Sequence, residues 1–131
     1  MSRRIRCQRL PDPWLRWARP AFQACLVTVL LLTLTPLSVP NTFPDEDKLH
    51  HLVAFATLCV LACAGWSGRW WQVCLPLSAL GALIEVIQIY VPNRSADVAD
   101  WAADTAGVIL GWYIYPACRA WFEKRFARAN S

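Results

Sequence analysis

Nine polar side chains with chemical capacity recur at helical intervals along this chain: Asp47, Lys48, His51, Glu85, Gln88, Arg94, Asp97, Asp100 and Asp104. An imidazole beside a carboxylate can move protons. The same pair of group types can ligate a metal ion. Lysine and arginine can hold a phosphate or carboxylate, arginine in two-pronged fashion. The balance of charge is uneven, because Asp47, Glu85, Asp97, Asp100 and Asp104 face only Lys48 and Arg94 as fixed cations. Unpaired carboxylates away from water are costly. Protonated carboxyls, a protonated His51, a bound cation or a cationic ligand would each relieve that cost. The sequence leaves the four open.

Spacing shows how these groups converge. Asp97, Asp100, Asp104, Gly107 and Gly111 follow steps of three and four, so they form one stripe on a helix. Gly107 and Gly111 allow another backbone to come close. Gly81, Glu85 and Gln88 share a second face, and Asp47, His51 and Phe55 a third. Counted from the ends of their helices, His51, Gln88 and Asp100 lie about one turn in, and Glu85 and Asp104 roughly 9 Å in.

The elements that position these groups are four apolar stretches, 21–39, 49–67, 71–91 and 98–118. Each has the ~20 residues that a bilayer-crossing helix needs. The chain has 131 residues, 56 % of them hydrophobic and 17 % charged, and arginine-rich ends hold its mean hydropathy to +0.31. The expected fold is an all-α integral membrane bundle of four transmembrane helices, each satisfying its own backbone hydrogen bonds. A lipid-facing barrel is excluded, since no stretch alternates and four strands could not close one. The formal charge of +4 does not indicate a nucleic-acid partner, because the basic residues flank apolar runs.

Those basic residues set the expected orientation. Arg3, Arg4, Arg6, Arg9, Arg16 and Arg19 precede the first span. Arg69 joins the second to the third, and Arg119, Lys124, Arg125 and Arg128 follow the fourth. Both termini are therefore expected in the cytoplasm, with 40–48 and 92–97 facing outward across the inner membrane. The expected division is a basic, aromatic tail over 1–20, a membrane domain over 21–118 and a second basic tail over 119–131. The first span is too long for a signal-peptide core and lacks a small-x-small cleavage site. Trp14, Trp17, Trp121, Phe122 and Phe126 among the arginines suit the headgroup region. The six cysteines lack metal-binding spacing and read as small apolar packing residues.

Three strings together resemble the VanZ-like membrane proteins: D-K-x-x-H-x-x-x-F from Asp47 to Phe55, E-x-x-Q from Glu85 to Gln88, and R-x-x-D-x-x-D-x-x-x-D-x-x-G-x-x-x-G from Arg94 to Gly111. The resemblance covers 45–112 and includes motif order and span count. It implies that Asp47, Lys48, His51, Glu85, Gln88, Arg94, Asp100 and Gly107 occupy the family's characteristic positions. Two positions depart from it. Phe55 stands where many relatives have Tyr, and Asp104 where many have Asn. The family takes its name from a member linked to low-level resistance to the glycopeptide teicoplanin. The resemblance thus implies an envelope membrane protein, with antibiotic resistance as one role, and does not imply an enzyme.

Several functions fit these residues. The first is a non-enzymatic envelope protein whose outward polar pocket binds a lipid headgroup, a cell-wall precursor or a partner protein, with Arg94 and Lys48 on an anionic group and Glu85, Gln88 and Asp100 orienting them. The second is an enzyme on a lipid-linked or phosphorylated substrate, with His51 as acid or base, Asp100 as its partner or a metal ligand, and Arg94 on phosphoryl charge. No nucleophile elbow, phosphate loop or zinc-helix motif supports it. The third is a small proton-coupled transporter, which the apolar inner half of each span opposes. The structural alternative is that Asp47 and Asp97 cap helices and that Glu85–Arg94 or Asp100–His51 contacts fix register. No cofactor and no metal follow from spacing alone. Membrane lipids are the expected partners.

Overall fold

The computed structural model describes residues 6–7, 10, 12–36 and 45–127. Four helices carry the fold: α1 (Asp12–Leu34), α2 (Glu46–Gly65), α3 (Trp70–Gln88) and α4 (Val98–Ala127). Two short strands, β1 (Arg6–Cys7) and β2 (Gly68–Arg69), pair antiparallel, Cys7 opposite Gly68. Three helical stretches are long and apolar enough to cross a membrane: Arg16–Leu34, Glu46–Gly65 and Trp70–Gln88. Large apolar side chains stay exposed along the bundle, among them Val27, Leu31, Leu83, Val86, Ile109 and Tyr113. A water-soluble monomer rarely leaves so much apolar surface uncovered.

α2 lies at the centre, and its closest partner is α4. The small residues explain why. A Cβ added at Gly107 would sit 2.3 Å from the Leu52 carbonyl oxygen, and one at Gly111 would sit 2.5 Å from that of Ala56. Both contacts advance by four residues on each helix, so α2 and α4 run parallel. Phe55, Leu58, Cys59, Ile84 and Val108 are fully buried around this seam. α3 runs antiparallel to α4, joined by the hydroxyls of Ser78 and Thr105 at 2.9 Å and by Trp101 Nε1 donating to the Ser78 carbonyl at 3.1 Å.

α1 is antiparallel to α2 and is tied at both ends. At the end that carries Arg16, Arg19 and Arg69, Arg19 Nε donates to the Gly65 carbonyl at 3.1 Å. Its guanidinium also lies over the Trp66 ring, 5.4 Å from the centroid, and Phe22 meets that ring edge-on. A cation there answers the carbonyls left open where α2 stops. At the other end the turn after α3 places Asn93 in the left-handed region, φ 62°, a conformation that asparagine tolerates. That turn brings Arg94 onto the last carbonyls of α1.

Several expected boundaries move. The first helix begins at Asp12 and ends at Leu34, not at 21 and 39, so half of the supposed N-terminal tail is helical. Arginines within a turn of Trp17 read as tail, yet they belong to the same helical run. α4 continues through Ala127, past the expected end at 118. Residues 37–44 and 128–131, and the side chains of Trp14 and Phe126, lie outside the described residues. The cysteines are not all mere packing residues: Cys7 and Cys63 form a disulfide. β1 pairing with β2 folds the N-terminal segment back over the end of α2, and Leu10 N donates to the Ala64 carbonyl at 3.0 Å. That long-range return, not any local spacing, brings the two sulfurs together.

Candidate functional site

The α2–α4 register decides which polar groups meet. With Gly107 seated on Leu52, the residue one turn earlier on α4, Asp104, falls beside His51. Imidazole Nδ1 and Asp104 Oδ1 are 2.8 Å apart. Asp104 is completely buried, and His51 keeps 11 % of its side chain exposed. Asp100, a further turn out, lies within electrostatic reach of Asp47, Lys48, Asp97 and His51. His51 therefore takes Asp104, not Asp100, as its carboxylate partner.

α3 supplies the third member. Gly81 clears the space that Asp104 occupies, since a Cβ there would stand 2.6 Å from Asp104 Oδ2. One turn further, Glu85 is buried, and its Oε2 accepts from the Asp97 amide at 2.8 Å. One imidazole nitrogen of His51 and one oxygen each of Glu85 and Asp104 all lie within 4.8 Å of one another. Among the described residues, nothing donates to Glu85 Oε1 or Asp104 Oδ2, although both atoms are buried. A buried carboxylate oxygen without a donor is rare and calls for a physical account.

The remaining candidates sit around this core in structural contacts. Gln88 is buried and donates from Nε2 to the Thr33 carbonyl at 2.9 Å. Arg94 donates to the carbonyls of Leu32 at 2.7 Å and Thr35 at 3.3 Å, so it closes the end of α1 and does not pair with Glu85. Sequence reasoning could not anticipate this, because backbone acceptors carry no residue signature. Lys48 pairs with exposed Asp45 at 2.6 Å. Asp45, not Asp47, stands at the cap position of α2, and Asp47 lies in the first turn. Asp97 Oδ1 accepts from the Ala99 amide at 2.9 Å, a cap at the start of α4. Phe55 is wholly buried, one turn below His51 on the same face.

The arrangement is thus an imidazole, two buried carboxylates and two unanswered oxygens at one end of the bundle. Below it, among the described residues, the buried side chains are hydrophobic ones, Tyr115 included. This set can accept a cation, hold donor groups of a ligand or position a proton.

No curated protein and no solved structure matches the chain. The family model VanZ/LLP1 matches residues 14–119, from within α1 to within α4, and so takes in every helix and each member of the cluster. The chain is accordingly a membrane protein belonging to the VanZ/LLP1 family.

Proposed function

We propose that this chain is an envelope protein of the cytoplasmic membrane, spanning it four times. α4 is the fourth span, and both termini lie in the cytoplasm. In this reading the cluster of His51, Glu85 and Asp104 opens toward the outer face. It there holds the polar headgroup of a lipid or of a lipid-linked cell-wall precursor. The observation that carries this is the concentration of buried ionisable groups at one end, where two carboxylate oxygens have no donor. Amine and hydroxyl groups of such a headgroup are suitable donors to them. The anion-holding role expected for Arg94 has less support, since its guanidinium is engaged with α1.

The resemblance to the teicoplanin-resistance type supplies the assay. Cells that express the chain are expected to tolerate more teicoplanin than cells without it, and Glu85→Gln to abolish the gain at an unchanged membrane level. An undiminished Glu85→Gln phenotype defeats the proposal.

Orientation has its own test in the Cys7–Cys63 pair. Disulfides are rare in a reducing cytoplasm. The bonded pair in the structure weighs against a cytoplasmic arginine-rich end, so the proposed orientation requires that alkylation of intact cells under acid quench trap Cys7 and Cys63 as thiols. A pair already bonded at the moment of quenching would place that end outside.

The His51–Asp104 contact also supports an enzymatic reading, in which Asp104 orients the imidazole as a general base. Turnover of a lipid-linked phosphate substrate that disappears in His51→Gln would establish it.

A further inference from the structure

We propose that His51, Glu85 and Asp104 form a binding site for a single divalent cation of the zinc or manganese type. The inference rests on reading this cluster as a ligand site; with the ion on the carboxylate oxygens, a headgroup engages the site through an oxygen on the ion and not as a donor to them.

The geometry suits one ion. A first-row divalent cation binds imidazole nitrogen and carboxylate oxygen at ~2.0–2.2 Å. Three such atoms already within 4.8 Å of one another need only small side-chain movements to share it. The donor set, one imidazole and two carboxylates, is of the mixed nitrogen–oxygen kind that such ions accept. Water or a ligand oxygen would complete the coordination.

Charge and burial favour the same conclusion. Two ionised carboxylates carry two negative charges, which a divalent cation cancels. Glu85 and Asp104 are at least nine-tenths buried, and each keeps an oxygen with no donor among the described residues. Burial of an uncompensated charge costs far more than burial of a neutral ion–ligand set.

The surroundings are built to hold the three in place. The Asp97 amide fixes Glu85 through Oε2. Gly81 leaves room for Asp104 Oδ2, and Gly107 sets the α2–α4 register that brings His51 to Asp104. His51 Nδ1 and Asp104 Oδ1 face each other at 2.8 Å, close to the spacing of two ligands on one ion. Among the described residues no other group of three such side chains comes this close together. Asp47 and Asp100 stand outside the set.

The test uses the full chain, purified in detergent and stripped with a chelator. Zn²⁺ added calorimetrically is expected to bind at one equivalent. Glu85→Gln and Asp104→Asn are each expected to weaken it by at least the ~10–100-fold that loss of even an outer-shell partner costs. Asp47→Asn, an exposed acid at the same end, is expected to leave affinity unchanged. Pulsed EPR of wild-type protein loaded with Mn²⁺ should show coupling to an imidazole nitrogen, which needs no variant to fold. Absence of saturable Zn²⁺ uptake by folded wild-type protein overturns the proposal. So does a loss in Asp47→Asn equal to that in Glu85→Gln, which marks diffuse attraction to acids, and so does a Mn²⁺ signal without nitrogen coupling. A failure here leaves the headgroup reading standing on the teicoplanin assay, and a failed assay leaves a bound ion unaffected.

Discussion

Gly107→Leu is expected to prevent accumulation of the folded protein. Even the smaller Gly107→Ala places a carbon 2.3 Å from the Leu52 carbonyl oxygen, where the obstacle is backbone and cannot rotate away. α2 and α4 must separate, and the seam of Phe55, Leu58, Cys59 and Val108 loosens with them. Forcing extra methylenes into a packed core costs typically 1–3 kcal/mol. For Gly107→Ala the upper part of that range is expected, since two helices move and not one side chain. Gly111→Ala should behave alike, with the Ala56 carbonyl oxygen at 2.5 Å. Gly68→Ala provides the contrast, because its added carbon meets only the tip of the Gln72 side chain, at 3.1 Å. Reversible unfolding in mixed micelles, read by circular dichroism, measures all of these. A Gly107→Ala protein as stable as the parent would mean that α2 and α4 do not touch as described.

His51→Ala is expected to destabilise the bundle by about 1–3 kcal/mol, the cost of leaving a buried polar group without its partner. The reason lies less in the lost contact than in what remains. Asp104 is completely buried, and its Oδ1 would then join Oδ2 in having no donor. Asp104→Asn should cost much less. A neutral amide of the same shape can still bond the ring and removes one of the excess negative charges. In the combined variant His51→Leu with Asp104→Leu, apolar packing replaces both groups, and much of the lost stability should return. Together with the single variants His51→Leu and Asp104→Leu, this double variant forms a cycle that isolates the coupling between the two positions. Equal, small effects for His51→Ala and Asp104→Asn would show that the contact carries no weight.

Much of this arrangement was readable from residue spacing because helices impose their own geometry. The stripe from Asp97 to Gly111 and the faces of Gly81–Glu85–Gln88 and Asp47–His51–Phe55 follow from a period of 3.6 residues alone. The order within each stripe also set relative depth. Spacing cannot set how one helix slides along another. The choice between Asp100 and Asp104 as the partner of His51 is such a question, and the approach of Gly107 to Leu52 answers it. Arg94 illustrates a second limit. A search for its counter-charge looks among acids, whereas the guanidinium found the open carbonyls of Leu32 and Thr35. Cys7 and Cys63, separated by 56 residues, illustrate a third, because only the folding back of β1 places them together. α1 starts ahead of its apolar run because the arginines that flank a membrane-crossing run can also extend its helix.

The parallel alliance of α2 with α4 bears on how the protein is made. Ribosomes deliver α2 first, and the helix that covers its small-residue seam emerges two helices later. Until then His51 waits without Asp104, and the carbonyls of Leu52 and Ala56 lack their glycine neighbours. α4, for its part, brings two carboxylates in its opening turns and falls outside the helices apolar enough to insert on hydropathy alone. A chain halted before α4 would leave the α2 face around Leu52 and Ala56 uncovered.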